Sequence, residues 1–415
     1  MKKIECDTLL KNIGQLATMR GGLRKGKAMG DAGIVKDGAI AIKGGKILWA
    51  GAPNGASKFD AQQVVDAGGL LVVPGFVDAH THLVFAGSRE FELPMKLKGM
   101  SYMDIMEAGG GIGHTMERTR KASYGQLVAE SSARAQRMLE HGTTTLEAKS
   151  GYCLETKGEL RMLQASIETG KLVGIDVVPT FLGAHAVPLE FRGADAYTKH
   201  LLDEMIPAVA KAKAAKYCDV FCEEGVFGVA QSEKILKAAA KKGMKSKLHA
   251  DEVVALGGGR LAAKLGATSA DHLLMTPKKD FKAMAKANVI GVMLPGTPYV
   301  LMQDRYADAR GMMAAGMALA LATDLNPNCW LESMQMAISL ACYKMRMTPA
   351  EALCAATINA AHAIGMGDIV GSIEPGKRAD LVVMGARTIE EIPYRWGSNL
   401  ALEVWKRGKC VAARE

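Results

Sequence analysis

The sequence of 415 residues has no long hydrophobic run. Its longest uncharged stretches, such as Gly311 to Thr323, fall short of the roughly 20 apolar residues that a membrane-spanning helix requires. Met1-Lys2-Lys3 is not followed by the apolar core of a signal peptide. These absences predict a cytoplasmic protein with no membrane partner.

Paired cysteines and blocks of basic residues are also missing. The eight cysteines include no CxxC pair, so we expect reduced thiols rather than a disulfide framework. Lys and Arg outnumber Asp and Glu by 52 to 43, but the basic residues are scattered along helical stretches. A nucleic-acid-binding surface is therefore weakly supported, and we predict no nucleic-acid partner.

The sequence has neither a glycine-rich phosphate-binding loop after a strand nor the nucleophile motif of a serine hydrolase. The glycine-rich run Gly109 to Gly113 follows a helical segment rather than a strand. A second run, Gly257 to Gly259, lacks the lysine and hydroxyl of a phosphate-binding loop. No GxSxG motif of a serine hydrolase occurs. Both glycine runs are predicted to be turns.

The sequence instead contains short apolar runs that alternate with longer segments of helical period. From about residue 71 onward, we count eight predicted strands rich in Val, Ile, Leu and Thr. Most are apolar on both faces, which is typical of parallel strands covered by helices. They are Leu71 to Val77, Thr143 to Glu147, Gly174 to Phe181, Tyr217 to Cys222, Lys245 to His249, Ala267 to His272, Val289 to Leu294 and Ala318 to Thr323.

The segments between these strands carry helix start and stop signals. Ser232 is predicted to cap a helix that runs to Lys242, and Gly243 is predicted to end it. Residues 348–351 have the pattern of a capping box with proline at the first helical position. Eight strands separated by helices predict the α/β class and a closed (β/α)8 TIM-like barrel, with an open doubly wound sheet as the alternative.

The two ends of the chain have a different pattern. Residues 33–70 and 371–412 carry strand-like pieces around turn signals. Neither end is long enough to build a covered sheet alone. We therefore predict that residues 1–70 and 366–415 together form a small β-sandwich domain beside a barrel of residues 71–365.

Polar residues collect where the predicted strands end, which is where a (β/α)8 barrel carries its chemistry. Five of the nine histidines lie at or just past these ends, and unrelated structural histidines have no reason to converge on one rim. The remaining four histidines fall in helices or long loops and are assigned no role. The residues at the strand ends are Asp78, His80, His82, His185, His249, Asp271, His272 and Asp324.

Four of these residues form a candidate metal site. His80 and His82 are two residues apart, so on an extended backbone both side chains point to the same face. His249 and Asp324 would complete a set of three imidazoles and one carboxylate, which suits Zn²⁺ or Fe and leaves room for a water. Such an ion makes hydroxide available at neutral pH. The sequence therefore predicts a metal-dependent hydrolase with one Zn or Fe ion per chain.

Six segments spread over most of the chain resemble the amidohydrolase superfamily, whose members hold catalytic metal in a (β/α)8 barrel beside a small β-sandwich. The resemblance is closest to the members that open an imidazolone ring in histidine degradation. The segments are PGFVDAHTH at 74–82, HLVFAGSRE at 82–90, TTTLEAKSGY at 143–152, FLGAH at 181–185, LHADE at 248–252 and DLNP at 324–327.

The resemblance implies hydrolysis of the cyclic amide of 4-imidazolone-5-propanoate to N-formimidoyl-L-glutamate by a metal-activated water, in a homodimer. Arginine suits the propanoate because its planar fork pairs with both carboxylate oxygens, whereas lysine offers a point charge. Asp324 or Glu252 would take the proton of the water, and His272 would steady the oxyanion. The implied metal ligands are His80, His82, His249 and Asp324; the implied catalytic residues are Glu252, His272 and Asp324; and the implied substrate contacts are Arg89, Tyr102, Tyr152, His185, Glu252 and Asn326.

Three residues depart from the family pattern, and two other functions stay open. Cys153, Asn328 and Cys329 replace the usual residues in loops expected to line the substrate pocket. A two-metal cyclic amidase or a deaminase of a related nitrogen heterocycle is an alternative within the superfamily, and Glu223, after the fourth strand, keeps the two-metal version possible. A non-catalytic binding protein on the same barrel has little use for four convergent ligands.

Overall fold

The chain begins with strands that pair around one long central strand. In this computed structural model, which describes residues 3–100 and 102–414, the strands are β1 (Ile4–Ala17), β2 (Ile34–Lys43), β3 (Lys46–Gly51), β4 (Phe59–Asp66) and β5 (Leu71–Pro74). Strand β1 pairs with β2 antiparallel along most of its length, and with β4 and β5 in parallel at its two ends. Two 3-10 helices interrupt this region, Gly26–Gly30 and Pro53–Lys58.

Eight parallel strands follow, and each pairs with the next along the chain. Nearly all of their residues are buried, because helices cover their outer face and their own side chains fill the centre. They are β6 (Phe76–Asp78), β7 (Thr143–Lys149), β8 (Asp176–Ala184), β9 (Tyr217–Cys222), β10 (Lys245–Ala250), β11 (Ser269–His272), β12 (Ile290–Met293) and β13 (Leu319–Leu321).

The sheet closes between its first and last strands. Just past β6 and β13, Thr81 and Leu325 form a parallel bridge. The His82 N–H donates to Leu325 O at 2.8 Å, and the Asp324 N–H donates to His80 O at 3.1 Å. The closed ladder makes the sheet a barrel and excludes the open doubly wound alternative.

Helices connect the barrel strands. None of those within the described residues is both long and apolar enough to cross a bilayer. They are α1 (Glu92–Leu97), α2 (Tyr102–Glu107), α3 (Gly111–Lys121), α4 (Tyr124–Glu140), α5 (Thr156–Val173), α6 (Ala194–His200), α7 (Ile206–Ala212), α8 (Val229–Lys241), α9 (Gly258–Leu265), α10 (Lys278–Lys286), α11 (Gly296–Val300), α12 (Ala309–Ala314), α13 (Met334–Met345), α14 (Pro349–Ala355) and α15 (Ile358–Ala363), with a π-helical turn at Leu201–Met205.

The C-terminal segment returns to the first sheet. Strands β14 (Leu381–Met384), β15 (Ala401–Lys406) and β16 (Lys409–Ala413) follow the barrel, with α16 (Glu391–Tyr394) between β14 and β15. Strand β14 pairs antiparallel with β5, so both termini share one eight-stranded sheet. Apolar side chains from both ends, including Ile13, Leu381 and Trp405, form its core. The predicted fold, a (β/α)8 barrel with a small β-sandwich from both termini, is confirmed.

The structure divides the predicted strand Leu71 to Val77 into two. Strand β5 belongs to the terminal sheet and β6 to the barrel, with Gly75 between them. A Cβ at Gly75 would lie 2.3 Å from Thr144 Oγ1, so glycine is required where the chain passes from one sheet to the other.

Candidate metal centre and active site

Four predicted ligands converge at the carboxyl-terminal end of the barrel. His80 and His82 follow β6, His249 lies in β10, and Asp324 follows β13. His80 Nε2 and His82 Nε2 are 3.3 Å apart, and Asp324 Oδ1 is 3.5 Å from each of them. One ring nitrogen each from His80, His82 and His249 lie within 4.8 Å of one another.

These positions fit a single metal ion. Two atoms bound tetrahedrally to one ion at about 2.0–2.1 Å lie about 3.3–3.4 Å from each other, close to the separations of the side chains here. Within residues 3–100 and 102–414, His249 Nε2 and Asp324 Oδ1 are buried polar atoms without a hydrogen-bond partner. Since such atoms are costly to bury unpaired, a cation that accepts their lone pairs accounts for both. The cluster therefore indicates a divalent metal.

Polar side chains behind the ligands contact them and restrain their orientation. His80 Nδ1 lies 2.6 Å from Asp271 Oδ2, and His249 Nδ1 lies 3.0 Å from Asp219 Oδ2. Thr297 Oγ1 donates to Asp324 Oδ2 at 2.5 Å, which leaves Oδ1 for the centre. Carboxylates behind metal-binding histidines hold the ring and its tautomer in place.

Burial keeps His80 and His82 neutral. It lowers the pKa of the His80 and His82 imidazoles well below the usual value, and the nearby Lys149 and His185 lower these pKa values further. A neutral imidazole offers a lone pair to a metal ion. The site is therefore ready to bind a cation without releasing protons from these two rings.

The backbone at three strand ends is left-handed. The φ angles are +52° at Asp251, +73° at His272 and +55° at Asp324, at the ends of β10, β11 and β13. Such angles are uncommon for residues other than glycine and persist where the surrounding structure imposes them. The chain turns sharply there, and the side chains of His272 and Asp324 lie at the metal cluster.

His185 and Tyr152 lie next to the metal cluster. The His185 ring stacks on His82 with 4.8 Å between ring centroids and 14° between planes. The Tyr152 ring centroid is 5.6 Å from that of His82 and 5.2 Å from that of His185. These rings form an aromatic wall that a flat heterocycle could contact.

Glu252 and His272 lie on the other side of the cluster. Glu252 Oε2 is 3.5 Å from His272 Nε2. Burial, with the nearby charges of Asp324 and Glu223, raises the pKa of the Glu252 carboxyl to about 8. Burial also raises the pKa of Asp324 to about 6, against the hydrogen bond from Thr297. Both carboxyl groups can therefore gain or lose a proton near neutral pH.

Glu223 has a different position from that of a bridging metal ligand. Its carboxylate accepts backbone N–H groups of the loop after β10, from Glu252 at 3.0 Å, Val253 at 2.8 Å and Val254 at 3.2 Å. Glu223 thus holds the loop that carries Glu252, which disfavours the two-metal alternative.

The structure surrounds Arg89 and Asn326 with protein partners. Arg89 is buried and donates through Nε and Nη2 to the two oxygens of Glu92, at 2.7 and 2.9 Å. Asn326 Nδ2 donates to Asp324 O at 2.7 Å, and its Oδ1 accepts the Cys329 N–H at 3.0 Å. Both side chains stabilise loops at the rim, and their predicted contacts with substrate stay predictions.

The structure describes the surroundings of three of the other residues predicted at the rim. The side chain of Tyr102 lies outside the described part of the structure. Asn328 Oδ1 accepts a hydrogen bond from Lys96, and the buried Cys329 lies with Sγ 3.6 Å from Thr323 O. The Cys153 N–H donates to Glu159 Oε1 at 2.9 Å. These contacts place Asn328, Cys329 and Cys153 in the loops around the centre.

Four buried charged residues beneath the centre were assigned no role from the sequence. The sequence does contain a signal for them, namely charged residues inside otherwise apolar strands, because such residues are rarely buried unless they are paired. Their meaning depends on partners from distant strands, which the spacing does not reveal. These residues are Glu147, Lys149, Asp219 and Lys247.

Comparisons with known proteins agree with this geometry. The profile of the Amidohydrolase family matches residues 71–412. The chain is 46% identical over 414 residues to imidazolonepropionase of Alkaliphilus metalliredigens, covering 98% of both chains. It is 47% identical over 412 residues to imidazolonepropionase of Shouchella clausii, covering 97% of this chain and 92% of the relative.

Solved structures of lower identity share the fold. A zinc-bound adenosine deaminase from Xanthomonas campestris has a TM-score of 0.72 at 20% identity, over 98% of this chain and 93% of that one. Guanine deaminase of E. coli has a TM-score of 0.68 at 15% identity, over 98% and 99% of the two chains. At these identities, the likeness is to the fold.

Proposed function

The chain belongs to the amidohydrolase family, and from this membership we propose that it hydrolyses the cyclic amide of 4-imidazolone-5-propanoate to N-formimidoyl-L-glutamate. The observation that carries the proposal is similarity along nearly the whole chain to proteins named imidazolonepropionase, at 46–47% identity in the two cases above. The metal cluster at the carboxyl end of the barrel supports it, because ring opening of an amide requires an activated water.

One Zn or Fe ion, held by His80, His82, His249 and Asp324, would polarise the ring carbonyl and lower the pKa of a water to about 7. The separations of the His80, His82 and Asp324 ligand atoms match those expected around one ion and support this ligand set. A single ion is proposed because Glu223, the candidate second ligand, is occupied by backbone N–H groups.

The residues of the chain bind and orient the ring. The wall formed by Tyr152 and His185 can stack against the flat imidazolone. Asn326 holds the loop of Asp324 and has an amide N–H left for the substrate. Arg89 would pair with the propanoate through the N–H groups that Glu92 leaves free. Tyr102 is a further proposed contact.

Proton transfer falls to Glu252, Asp324 and His272. The water adds its oxygen to the ring carbonyl carbon, the C–N bond breaks, and the ring nitrogen takes up a proton. Asp324, or Glu252 in its ionised form, accepts the proton of the water, and the raised pKa of Glu252, about 8, suits a group that then returns a proton to nitrogen. His272, 3.5 Å from Glu252, would donate to the developing oxyanion.

The product identifies the reaction. Purified protein should convert 4-imidazolone-5-propanoate to N-formimidoyl-L-glutamate, identified by mass spectrometry, and should release no ammonia from adenosine or guanine. Release of ammonia from a purine without ring opening of the imidazolone would assign the chain to a deaminase instead.

The proposed proton acceptor can be tested in the same assay. Glu252→Gln keeps the shape of the side chain and removes its acid–base function, so kcat should fall by about 10²–10⁴-fold. Glu224→Gln, at the exposed neighbour of Glu223, is the control and should retain activity. A nearly active Glu252→Gln variant, with an inactive Asp324→Asn variant that still holds metal, would make Asp324 the base.

A cytoplasmic location and a homodimer are proposed on the sequence alone. Sedimentation of the purified protein would test the dimer.

A further inference from the structure

A buried lysine lies beneath the metal cluster. Lys149, the last residue of β7, has a fully buried side chain. Its Nζ lies 2.7 Å from Asp219 Oδ2, 2.9 Å from Glu147 Oε2 and 3.2 Å from Asp271 Oδ2. One ammonium group therefore joins carboxylates from strands β7, β9 and β11.

Two of these carboxylates are the ones that contact the metal-binding histidines. Asp271 Oδ2, bound by Lys149, is also the atom 2.6 Å from His80 Nδ1. Asp219 Oδ2, bound by Lys149, is also the atom 3.0 Å from His249 Nδ1. Lys149 thus contacts the same oxygen atoms that hold the two rings.

A second buried lysine offers an internal comparison. Lys247 in β10 is equally buried, and its Nζ lies 2.8 Å from Glu147 Oε2 and 3.3 Å from Ala79 O. It therefore shares Glu147 with Lys149 but makes no ion pair with Asp219 or Asp271 within the described residues. The two lysines differ in their connection to the histidines.

The charges beneath the metal cluster are paired. The carboxylates of Glu147, Asp219 and Asp271 and the ammonium groups of Lys149 and Lys247 are all buried. Buried charges are tolerated when they are paired in this way.

We propose that Lys149 is a positioning residue for the metal centre, because its ammonium group fixes Asp219 and Asp271 against His249 and His80. The two rings then present Nε2 to the ion in a fixed direction. Without the ammonium group, the two carboxylates would repel each other and turn away from the rings. The inference extends the proposed metal-dependent hydrolysis, but it concerns metal binding, which can be measured without substrate.

The test compares Lys149→Met with Lys247→Met. Zn²⁺ affinity of each folded protein is measured by competition with a chromogenic chelator, and the visible absorption spectrum is recorded with Co²⁺ in place of Zn²⁺. Loss of a second-layer partner of a metal ligand costs about 10–100-fold in affinity. We expect a loss of that size and an altered Co²⁺ spectrum for Lys149→Met, and a change below about threefold for Lys247→Met.

A second variant separates positioning from charge and from folding. Lys149→Met combined with Glu147→Gln removes the bridge but restores the charge balance, so the protein should fold and should still bind Zn²⁺ about 10–100-fold more weakly. Wild-type affinity and Co²⁺ spectrum in either Lys149 variant would overturn the proposal. Failure of both to fold while Lys247→Met folds would make Lys149 structural and overturn it as well. Because substrate is absent, a wrong assignment of the reaction would leave these results unchanged.

Discussion

Buried acids hold the loops around the metal centre through backbone N–H groups. Glu159 accepts the N–H groups of Cys153 and Leu154 beside Tyr152. Asp251 accepts those of Gly257, Gly258 and Gly259, where α9 begins, so the prediction that this glycine run is a turn is wrong. Each such acid satisfies several orphan donors at once and restrains a rim loop.

Because Arg89 pairs with Glu92 in a buried position, its replacement should affect both substrate binding and folding stability. Arg89→Lys keeps the charge but cannot make the two-pronged pairing with either Glu92 or the propanoate. We expect KM to rise by at least about tenfold with a smaller change in kcat, and unfolding free energy to fall by about 1–3 kcal/mol because the pair is buried. Arg118→Lys, at an exposed position of α3, is the control. An unchanged KM would show that Arg89 serves Glu92 alone.

The raised pKa of Glu252 predicts a pH-dependent stability. The folded chain holds this proton up to about pH 8, whereas the unfolded chain releases it near 4.5. The folded state therefore binds more protons in this window, and its advantage, fully present below about 4.5, is lost as the pH rises to about 8.

We expect the unfolding free energy of metal-free wild-type protein to fall relative to Glu252→Gln as the pH rises, by at most about 1.4 kcal/mol per pH unit. Urea unfolding between pH 5 and about 8 measures the difference. Parallel stability curves for the two proteins would contradict the raised pKa.

The roles of some single residues can be predicted from the sequence, and those of others cannot. His80, His82, His249 and Asp324 could be found because strand ends meet at one rim of a barrel. Lys149 could not, because its role depends on two acids from other strands that no local pattern links to it.

Helix boundaries are also only partly predictable from the sequence, because tertiary packing can override a local capping preference. Thr348 caps α14 as predicted, with its Oγ1 accepting the Glu351 N–H and Glu351 Oε2 accepting the Thr348 N–H. Ser232 does not cap α8, which begins at Val229 after Gly228. The prediction for Ser232 is wrong because the serine is buried inside the helix, where tertiary packing outweighs its capping preference.

The passage between the two sheets gives a test at this scale. Gly75→Ala places a Cβ 2.3 Å from Thr144 Oγ1, where neither sheet can shift freely. We expect a loss of about 1–3 kcal/mol in unfolding free energy. Gly113→Ala in α3, where nothing lies within 4 Å of the added Cβ, is the matched control and should be neutral or slightly stabilising. Equal stability of the two variants would refute the close approach at Gly75.

On the scale of the whole molecule, ion pairs join the C-terminal segment to the barrel. Asp176, at the start of β8, accepts hydrogen bonds from Arg378, Lys406 and Arg407. Strand β14 also pairs with β5, one residue before the barrel begins. The barrel and the terminal sheet are therefore held together by both charge and backbone pairing.

Removal of this segment should destabilise the entire chain. A chain that ends at residue 365 lacks β14, β15 and β16, which leaves β5 unpaired on one edge and exposes the apolar core around Ile13. We expect insoluble protein, or a thermal midpoint well below that of the full chain, in a comparison of soluble fractions and thermal unfolding. A soluble and fully active truncation would show that the barrel folds without its partner strands.

The most direct test of the account is a metal titration that follows hydrolysis of 4-imidazolone-5-propanoate. Metal-free protein should be inactive, and added Zn²⁺ or Fe²⁺ should restore activity linearly until about one equivalent is bound, with no restoration in His249→Ala. Hydrolysis by the metal-free chain, or activity that requires two equivalents, would contradict a single-metal hydrolase built on His80, His82, His249 and Asp324.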